Sequence, residues 1–329
     1  MSVRERPPIS YLSAPKKMTA MQEKILVLGA SGQIGTELVE QLRKNYSPEQ
    51  VIASDIRRPS APQSGPFEEV NAMDRPRLEE VVKKHGVTQV YHLVAMLSAT
   101  AEKMPMKGWD LNMQSLFHLL EMAREKQFNK LYWPSSIAAF GPTTPKQNTP
   151  QHTIMDPGTV YGISKLSGEL WCQYYHDKYG VDVRGLRYPG LISYKTEPGG
   201  GTTDYAVDIF RKAKEVGKYE CYINKGTTLP MMYMPDAIKA TIGIMEAPAE
   251  KVKLRTSYNI AAFSFDPELV AEVIRKHIPD FEIRYSPDQR DQIAQGWPQS
   301  IDDSEAREHW GWQAEYSLED MVKEMLENV

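Results

Sequence analysis

A tyrosine and a lysine four residues apart are the side chains of this sequence best suited to chemistry. Tyr161 and Lys165 lie in the segment YGISK, and the helical pattern that runs on to residue 178 puts both on one helix face. A phenol with an ordinary pKa of about 10 is a poor base near neutral pH, but a fixed cation beside it favours the phenolate. The pair therefore predicts a proton acceptor for an alcohol, with Lys165 lowering the pKa of Tyr161. An ordinary pair on a helix surface is the alternative.

A glycine-rich turn well upstream predicts a dinucleotide site. The segment GASGQIG stands between an apolar run, 24–28, and a helical pattern, 33–45. Glycines in a strand-to-helix turn let the backbone approach a pyrophosphate, and the free N–H groups of the helix N-terminus favour the anion. We expect the whole turn to hold the cofactor, namely Gly29, Ser31, Gly32, Gln33, Ile34 and Gly35.

The end of the second predicted strand, 50–54, indicates which nicotinamide cofactor binds. Asp55 follows this strand 20 residues after Gly35, as counted along the chain. A carboxylate at this place accepts hydrogen bonds from the adenosine ribose and repels a 2′-phosphate, so NAD is predicted. Arg57 and Arg58 keep NADP open as the alternative.

The composition argues against several kinds of partner. The chain has 329 residues and a formal net charge of −4, which gives no basic footprint for nucleic acid. No apolar run approaches the roughly 18 residues of a membrane span. Cys172 and Cys221 stand apart from each other and from the scattered histidines. We therefore expect no metal, no nucleic acid and no membrane partner.

The segment 1–22 differs from the rest of the chain, and we predict a flexible basic tail there. It carries four basic residues against one acid, together with serines and three prolines. A basic, acid-poor segment is typical of a mitochondrial transit peptide, although the prolines interrupt an amphipathic helix. A disordered tail on a cytoplasmic protein is the alternative.

Strand and helix patterns alternate through the first part of the chain. Strands are predicted at 24–28, 50–54, 89–94, 130–133 and 181–186, and helices at 33–45, 75–85, 108–126 and 160–179. Such alternation favours an α/β fold, a doubly wound parallel sheet of the Rossmann type. Beyond residue 188 the pattern is mixed, with helices predicted at 203–216, 235–246, 266–277 and 317–328. We expect a cofactor domain at 23–190 and a smaller, interleaved substrate lobe at 191–329.

These motifs in this order resemble the short-chain dehydrogenase/reductase superfamily, in its extended, epimerase/dehydratase-like branch. The glycine turn, Asp55, the serines in PSSIAAFG at 134–141, and YGISK carry the resemblance. Within that branch, the segments RYPGLI at 187–192 and GGGTTDYA at 199–206 are similar to the short-chain L-threonine 3-dehydrogenases. The resemblance implies NAD-dependent oxidation of L-threonine at C3 to 2-amino-3-oxobutyrate.

The resemblance implies roles for particular residues. Tyr161 would be the general base, Lys165 would lower its pKa and hold the nicotinamide ribose, and Ser136 would be the hydroxyl partner, with Ser135 as its rival. Further cofactor contacts would come from Asn71, Ala72, Leu93, Val94, Ala95, Tyr188 and Leu191.

An amino-acid substrate needs polar partners, and several residues are candidates. Ser98 and the hydroxyls of Thr202 and Thr203 are expected to bind substrate, beside Ser136 and Tyr161. Asp204 would face the ammonium group, or else cap the helix predicted after it. Arg187 is a carboxylate candidate by charge alone, and a structural ion pair is its other interpretation. The glycine-rich segment 194–204, which we call the lid loop, is predicted to close over substrate.

Two long helices carry apolar residues on more than one face, at 108–126 and 160–179. Relatives implied by the resemblance pair these helices, so a homodimer is expected. Burial against the chain's own sheet is the alternative. Competing functions are a nucleotide-sugar epimerase or dehydratase of the same branch, and a non-catalytic dinucleotide sensor on the same fold.

Overall fold

The computed structural model describes residues 23–59, 64–197 and 199–329. The predicted tail and its transit-peptide interpretation fall on residues 1–22, which lie outside the described part of the chain. The central sheet is built from short strands with buried side chains; all four residues of the first, Ile25–Leu28, are buried. Buried strands of this kind require cover on both faces, and helices supply it.

Fourteen strands and eleven helices follow one another along the described chain. The strands are β1 Ile25–Leu28, β2 Val51–Asp55, β3 Phe67–Glu69, β4 Gln89–His92, β5 Lys130–Tyr132, β6 Ser135–Ser136, β7 Asp182–Arg184, β8 Leu186–Tyr188, β9 Gly190–Ile192, β10 Lys218–Cys221, β11 Leu229–Tyr233, β12 Tyr258–Asn259, β13 Phe263–Phe265 and β14 Glu282–Tyr285. The helices are α1 Gln33–Asn45, α2 Arg75–His85, α3 Ser98–Lys103, α4 Pro105–Arg124, α5 Val160–Tyr179, α6 Tyr205–Val216, α7 Met234–Glu246, α8 Pro267–Arg275, α9 Gln289–Gln295, α10 Ser304–Trp310 and α11 Leu318–Asn328.

The central sheet is parallel and has the order β3-β2-β1-β4-β5-β7. The strand order reverses between β1 and β4, which opens a crevice at the carboxyl ends of these strands, where ligands bind in such sheets. The predicted α/β class with a Rossmann-type parallel sheet is confirmed. The division into domains at residue 190 stays a prediction.

One predicted strand proves to be two. The run 181–186 was expected to continue as a single strand, but it ends at Arg184 and β8 begins at Leu186. Gly185 stands at the break, where a Cβ atom would lie 2.4 Å from Ser257 Oγ and 2.6 Å from the Trp133 carbonyl oxygen. The chain therefore leaves the central sheet here, and β8 pairs instead with β6 and β12.

Local sequence explains why α2 and α5 begin and end where the patterns predict. Asp74 caps α2 by accepting the Arg77 N–H, and Gly86 ends it with a φ of 61°. Thr159 caps α5 in the same manner, and Gly180 ends it with a φ of 69°. Side-chain N-caps and left-handed glycines satisfy the free groups of helix ends. The short helix α3, just before α4, was not predicted from the sequence.

Candidate active site

A cavity of about 650 Å³ at the carboxyl ends of the central strands is the candidate site for a ligand. Most predicted site residues line it, namely Gly29, Ser31, Gly32, Gln33, Ile34, Gly35, Leu93, Ala95, Ser98, Ser136, Tyr161, Lys165, Tyr188, Leu191, Thr202, Thr203 and Asp204. Four predicted cofactor residues are not in its lining: Asp55, Asn71, Ala72 and Val94. The structure thus brings the glycine turn, the Tyr161–Lys165 pair and the end of the lid loop around one space.

The glycine turn is built as a cradle for an anion. Gly29 has a φ of 83°, and a Cβ on Gly35 would lie only 2.1 Å from the Gly29 carbonyl oxygen. Gly32 is open, since a Cβ there would meet nothing nearer than 3.4 Å. Helix α1 begins with no side-chain cap and no acid in its first turn. Its free N–H groups therefore point at the cavity without an internal acceptor, which fits a pyrophosphate.

Asp55 lies beside this turn rather than in the cavity wall. Its carboxylate accepts the Ser31 N–H at 3.0 Å and the Ile56 N–H at 2.8 Å. Arg58, the basis of the NADP alternative, stacks on the Phe67 ring at 5.0 Å and donates to the Phe67 carbonyl. The acid is thus fixed against the cofactor turn, while Arg58 is held at the neighbouring strand.

Of the other cofactor candidates outside the lining, only Val94 approaches the turn: its backbone nitrogen lies 3.1 Å from where a Gly29 Cβ would stand. Asn71 accepts the Met73 N–H at 3.0 Å, and the carbonyl oxygen of the buried Ala72 lies 3.2 Å from His118 Nδ1. The cofactor roles of Asn71 and Ala72 stay predictions.

Burial acts on both members of the Tyr161–Lys165 pair. Tyr161 is half-buried as a residue, but its phenol lies deep in the wall, and burial raises its pKa to about 12. The nearby Ser136 hydroxyl acts in the opposite direction and is outweighed. A protonated lysine beside a phenol favours the phenolate, but desolvation disfavours the charge on the lysine as well. The lowering of the Tyr161 pKa by Lys165 therefore stays a prediction.

Lys165 is held by its surroundings in a fixed position. Its Nζ donates to the Pro134 carbonyl oxygen at 2.6 Å and stands 4.4 Å from the centre of the Trp133 ring and 5.4 Å from that of Tyr161. Burial lowers its pKa to about 7, so the ammonium form is only partly populated near neutral pH. A buried amine of this kind responds strongly to any charge placed beside it.

The two rival serines have different environments. Ser136 stands near the Tyr161 phenol, where its hydroxyl acts to lower the pKa of that phenol, and it accepts the Ala138 N–H at 3.1 Å. The Ser135 hydroxyl is buried and has no hydrogen-bond partner among the described residues, although Ser135 lines the cavity. A buried hydroxyl without a partner is costly unless a ligand satisfies it. Of the two, Ser136 is therefore the neighbour of the phenol, whereas the Ser135 hydroxyl is enclosed.

The lid loop meets the rest of the site through hydroxyls and one carboxylate. Ser98 Oγ lies 3.3 Å from Thr202 Oγ1, and both side chains are buried. Asp204 is the residue before α6, but its carboxylate makes no capping bond to that helix. It accepts the N–H groups of Gly200 and Gly201 at 2.9 and 2.7 Å instead. The helix-cap interpretation of Asp204 is therefore wrong.

The base of the lid loop is attached to α1. Ser193 donates a hydrogen bond to the buried Glu37, and Lys195 forms an ion pair with Glu40 at 2.7 Å. Arg187, the carboxylate candidate, is buried in an ion pair with Glu169 at 2.7 Å and also donates to Gln151 and Asn259. Its structural interpretation is the one that the contacts support.

Sequence reasoning missed Asn112 and Trp297. Asn112, buried on α4, accepts the Met96 N–H at 2.8 Å and donates to Ser164 Oγ at 3.1 Å, so it joins the strand-end segment to α5. Trp297 lines the cavity from the far end of the chain. No spacing signals either residue, because both reach the site through tertiary packing.

Comparison with known proteins places the chain in a family. The model of the NAD dependent epimerase/dehydratase family matches residues 25–261. The chain belongs to this family. The resemblance to the extended short-chain dehydrogenases is thereby confirmed, as is the prediction of an NAD-dependent enzyme. The residues of the cofactor turn fit NAD, with an open cradle at Gly32 and an uncapped helix N-terminus.

Individual relatives are similar over nearly the whole length. An uncharacterized epimerase/dehydratase from Staphylococcus aureus is 51% identical, covering 93% of this chain and 97% of its own. A solved L-threonine dehydrogenase from Cupriavidus necator, in its holo form, is 57% identical with a TM-score of 0.91, covering 93% of this chain and 99% of that one. A monomeric L-threonine 3-dehydrogenase from a metagenome is 45% identical with a TM-score of 0.89, covering 92% and 98%.

Within the described residues, no group of His, Cys, Asp and Glu is arranged to hold a metal ion. In the same ranges, no helix has both the length and the apolar character that a membrane crossing requires.

Proposed function

We propose that the protein is an NAD-dependent L-threonine 3-dehydrogenase, which forms 2-amino-3-oxobutyrate. The observation that carries the proposal is that Tyr161 and Ser136 line one cavity together with the cofactor turn and the hydroxyls of the lid loop. The similar solved structures described as L-threonine dehydrogenases support the same substrate. A small polar alcohol suits this end of the cavity, where buried hydroxyls stand beside a base.

In the proposed reaction, Tyr161 accepts the proton of the substrate O3 hydroxyl. NAD, when bound, supplies the hydride acceptor. Ser136 holds the same oxygen by a hydrogen bond, and the unpartnered Ser135 hydroxyl offers a second contact. Lys165 favours the phenolate whenever it is protonated, because an adjacent cation stabilises the charged form. Its bond to the Pro134 carbonyl keeps the ammonium group in place.

Recognition of the amino acid is proposed for the lid side of the cavity. Ser98 and Thr202 present paired hydroxyls, and Thr203 lines the same wall. Asp204 lines the cavity too, and its carboxylate can face the substrate ammonium while it holds Gly200 and Gly201. We assign no residue to the substrate carboxylate, because Arg187 is engaged with Glu169.

The test is an absorbance assay at the NADH band with a panel of 3-hydroxy amino acids and either NAD or NADP. We expect threonine-dependent NADH formation, with NAD preferred because Asp55 lies beside the cofactor turn. No reaction with any amino acid, together with a nucleotide sugar carried through purification, would favour the epimerase alternative. NAD binding without turnover of either substrate class would favour the sensor.

We also propose a homodimer formed by α4 and α5. Exposed apolar side chains remain on α5 although α4 packs beside it: Leu170 is 60% exposed, Trp171 40% and Tyr174 45%. Contiguous exposed apolar side chains of this kind mark interaction surfaces. The metagenome relative is described as monomeric, so the state must be measured. Light scattering should give twice the chain mass, and Leu170→Glu should halve it, whereas Leu269→Glu on another exposed site should not.

Of the two compartments, we propose the cytoplasm. Staphylococcal proteins are among the curated relatives, and bacteria have no mitochondria. The mitochondrial prediction gains no support from them. A fluorescent fusion at the C-terminus of the full chain that accumulates in mitochondria of a eukaryotic host would contradict the proposal.

A further inference from the structure

Trp297 has an unusual position, because this residue lines three separate cavities. It is buried, with 7% of its surface exposed, and it follows α9 at the edge of the C-terminal part of the chain. It lines the main cavity, a neighbouring pocket of about 200 Å³, and a polar surface pocket of about 370 Å³. One residue therefore borders all three spaces.

The surroundings of Trp297 place it at the substrate end of the main cavity rather than at the cofactor end. It belongs to the same apolar cluster as Ile137, and the Tyr161 ring packs against that cluster. The cluster around the cofactor turn, which includes Ala30 and Leu191, is a different one. The pocket of about 200 Å³ also reaches Thr159, the residue that caps the helix carrying Tyr161.

The backbone around Trp297 is fixed by hydrogen bonds. The Trp297 backbone N–H donates to the Ala294 carbonyl oxygen at 3.0 Å. Lys146 Nζ donates to the carbonyl oxygens of Gly296 at 2.6 Å and Gly141 at 3.1 Å, which fastens the neighbouring residue to the opposite rim of the small pocket. The indole itself belongs to a buried apolar cluster, so a substrate cannot displace it without disturbing close packing.

We propose that Trp297 determines specificity by limiting the size of the substituent on the carbinol carbon of the substrate. In this proposal the methyl group of threonine packs against the indole. A larger substituent on the same carbon would need the space that the indole occupies. Replacing the indole by a smaller side chain joins the main cavity to the pocket of about 200 Å³ beyond it. This inference rests on the proposed function, since it concerns the substrate of the same site.

The test compares threonine, 2-amino-3-hydroxypentanoate and 3-phenylserine in the wild-type protein and in Trp297→Leu. One extra methylene changes discrimination by roughly 10–200-fold in hydrophobic pockets. We expect Trp297→Leu to raise the kcat/KM ratio of 3-phenylserine to threonine by about tenfold or more, with the threonine KM raised more than kcat is lowered. Trp297→Phe should give a smaller rise, seen first with 2-amino-3-hydroxypentanoate.

Trp312→Leu is the matched control. Trp312 is also buried, belongs to the other cluster and lines none of the cavities described above. We expect it to lower the melting temperature but to leave the substrate ratio unchanged. The inference would be overturned if Trp297→Leu still binds NAD but has the wild-type kcat/KM ratio of 3-phenylserine to threonine. If Trp297→Leu does not fold, an unchanged substrate ratio in Trp297→Phe would overturn it. If the wild-type protein oxidises no 3-hydroxy amino acid, the proposed function itself is wrong.

Discussion

The cofactor turn, residues 29–35, and the lid loop, residues 194–204, face each other across one cavity but are built in different ways. The turn is made by neighbours in sequence: Gly35, in the first turn of α1, packs on Gly29. The lid loop depends on distant partners, since Ser98 and Thr202 are 104 residues apart. Tyr161 stands between the two.

This contrast shows why the cofactor turn can be shared by many proteins, whereas the lid loop suits one particular substrate. A turn fixed by local backbone geometry can hold the same dinucleotide in many proteins. A loop fixed by side chains from elsewhere in the chain can be re-formed for a new substrate while the turn stays unchanged. Variants that damage one half and spare the other would test this separation.

Tyr161→Phe should have the largest effect. Removing the hydroxyl deletes the proposed base and leaves the ring packing, so turnover of threonine should fall by about 10²–10⁴-fold. NAD affinity, measured by calorimetry, should stay within about twofold because the cofactor turn is untouched. Tyr174→Phe, at an exposed position of the same helix, should retain activity. Normal turnover by Tyr161→Phe would show that another group is the base.

Gly35→Ala should damage the cofactor half. The added methyl group would lie 2.1 Å from the Gly29 carbonyl oxygen, which forces the turn apart. Overpacking costs about 1–3 kcal/mol, so NAD affinity should fall by about tenfold or more. In Gly243→Ala, within α7, the added atom would meet Trp310 at 3.6 Å, an ordinary contact, and the affinity should be unchanged. Equal NAD affinity in both variants would contradict the cradle.

Asp204→Asn should damage the lid half. The carboxylate loses its charge but keeps its size, so the bonds to the Gly200 and Gly201 N–H groups weaken. We expect kcat/KM for threonine to fall by about tenfold while NAD affinity is preserved. The control is Asp208→Asn, because Asp208 lines no part of the cavity, and it should change neither quantity. A fall in NAD affinity instead would show that the two halves are not separate.

Lys165 gives a pH-dependent effect on stability. Its pKa is lowered to about 7 in the folded protein from an ordinary value near 10.5. Between these values the unfolded chain binds a proton that the folded chain does not, so stability rises with pH. Relative to Lys165→Met, the wild-type free energy of unfolding in urea should rise by about 2 kcal/mol from pH 7 to 9. Relative to the exposed Lys178→Met, the wild-type free energy of unfolding should show no such trend. A constant difference between wild type and Lys165→Met over this range would show that the amine is solvated.

The same contrast explains what the sequence could predict. Helices α1, α2 and α5 and the cofactor turn follow from caps, glycines and apolar spacing, which are local signals. The break at Gly185 and the short helix α3 were missed, because each depends on packing against distant residues. For Gly185, the deciding neighbours are Ser257 and Trp133.

The chemical pair shows a similar limit. Spacing alone placed Tyr161 and Lys165 on one face of a helix, but it could not say how deeply they are buried. Burial raises the pKa of the phenol and lowers that of the amine, opposite to the effect expected from their proximity. Asn112 and Trp297 were invisible for the same reason, since their importance comes from what folds against them.

The attachment of the lid base to α1 has a mechanical consequence. Glu37 and Glu40 stand one and two turns into the helix whose first turn forms the phosphate cradle, and they hold Ser193 and Lys195. A small displacement of α1 would therefore be transmitted to Ser193 and Lys195 at the base of the lid loop. One hydrogen bond and one ion pair thus connect binding at the cofactor turn to the position of the lid loop.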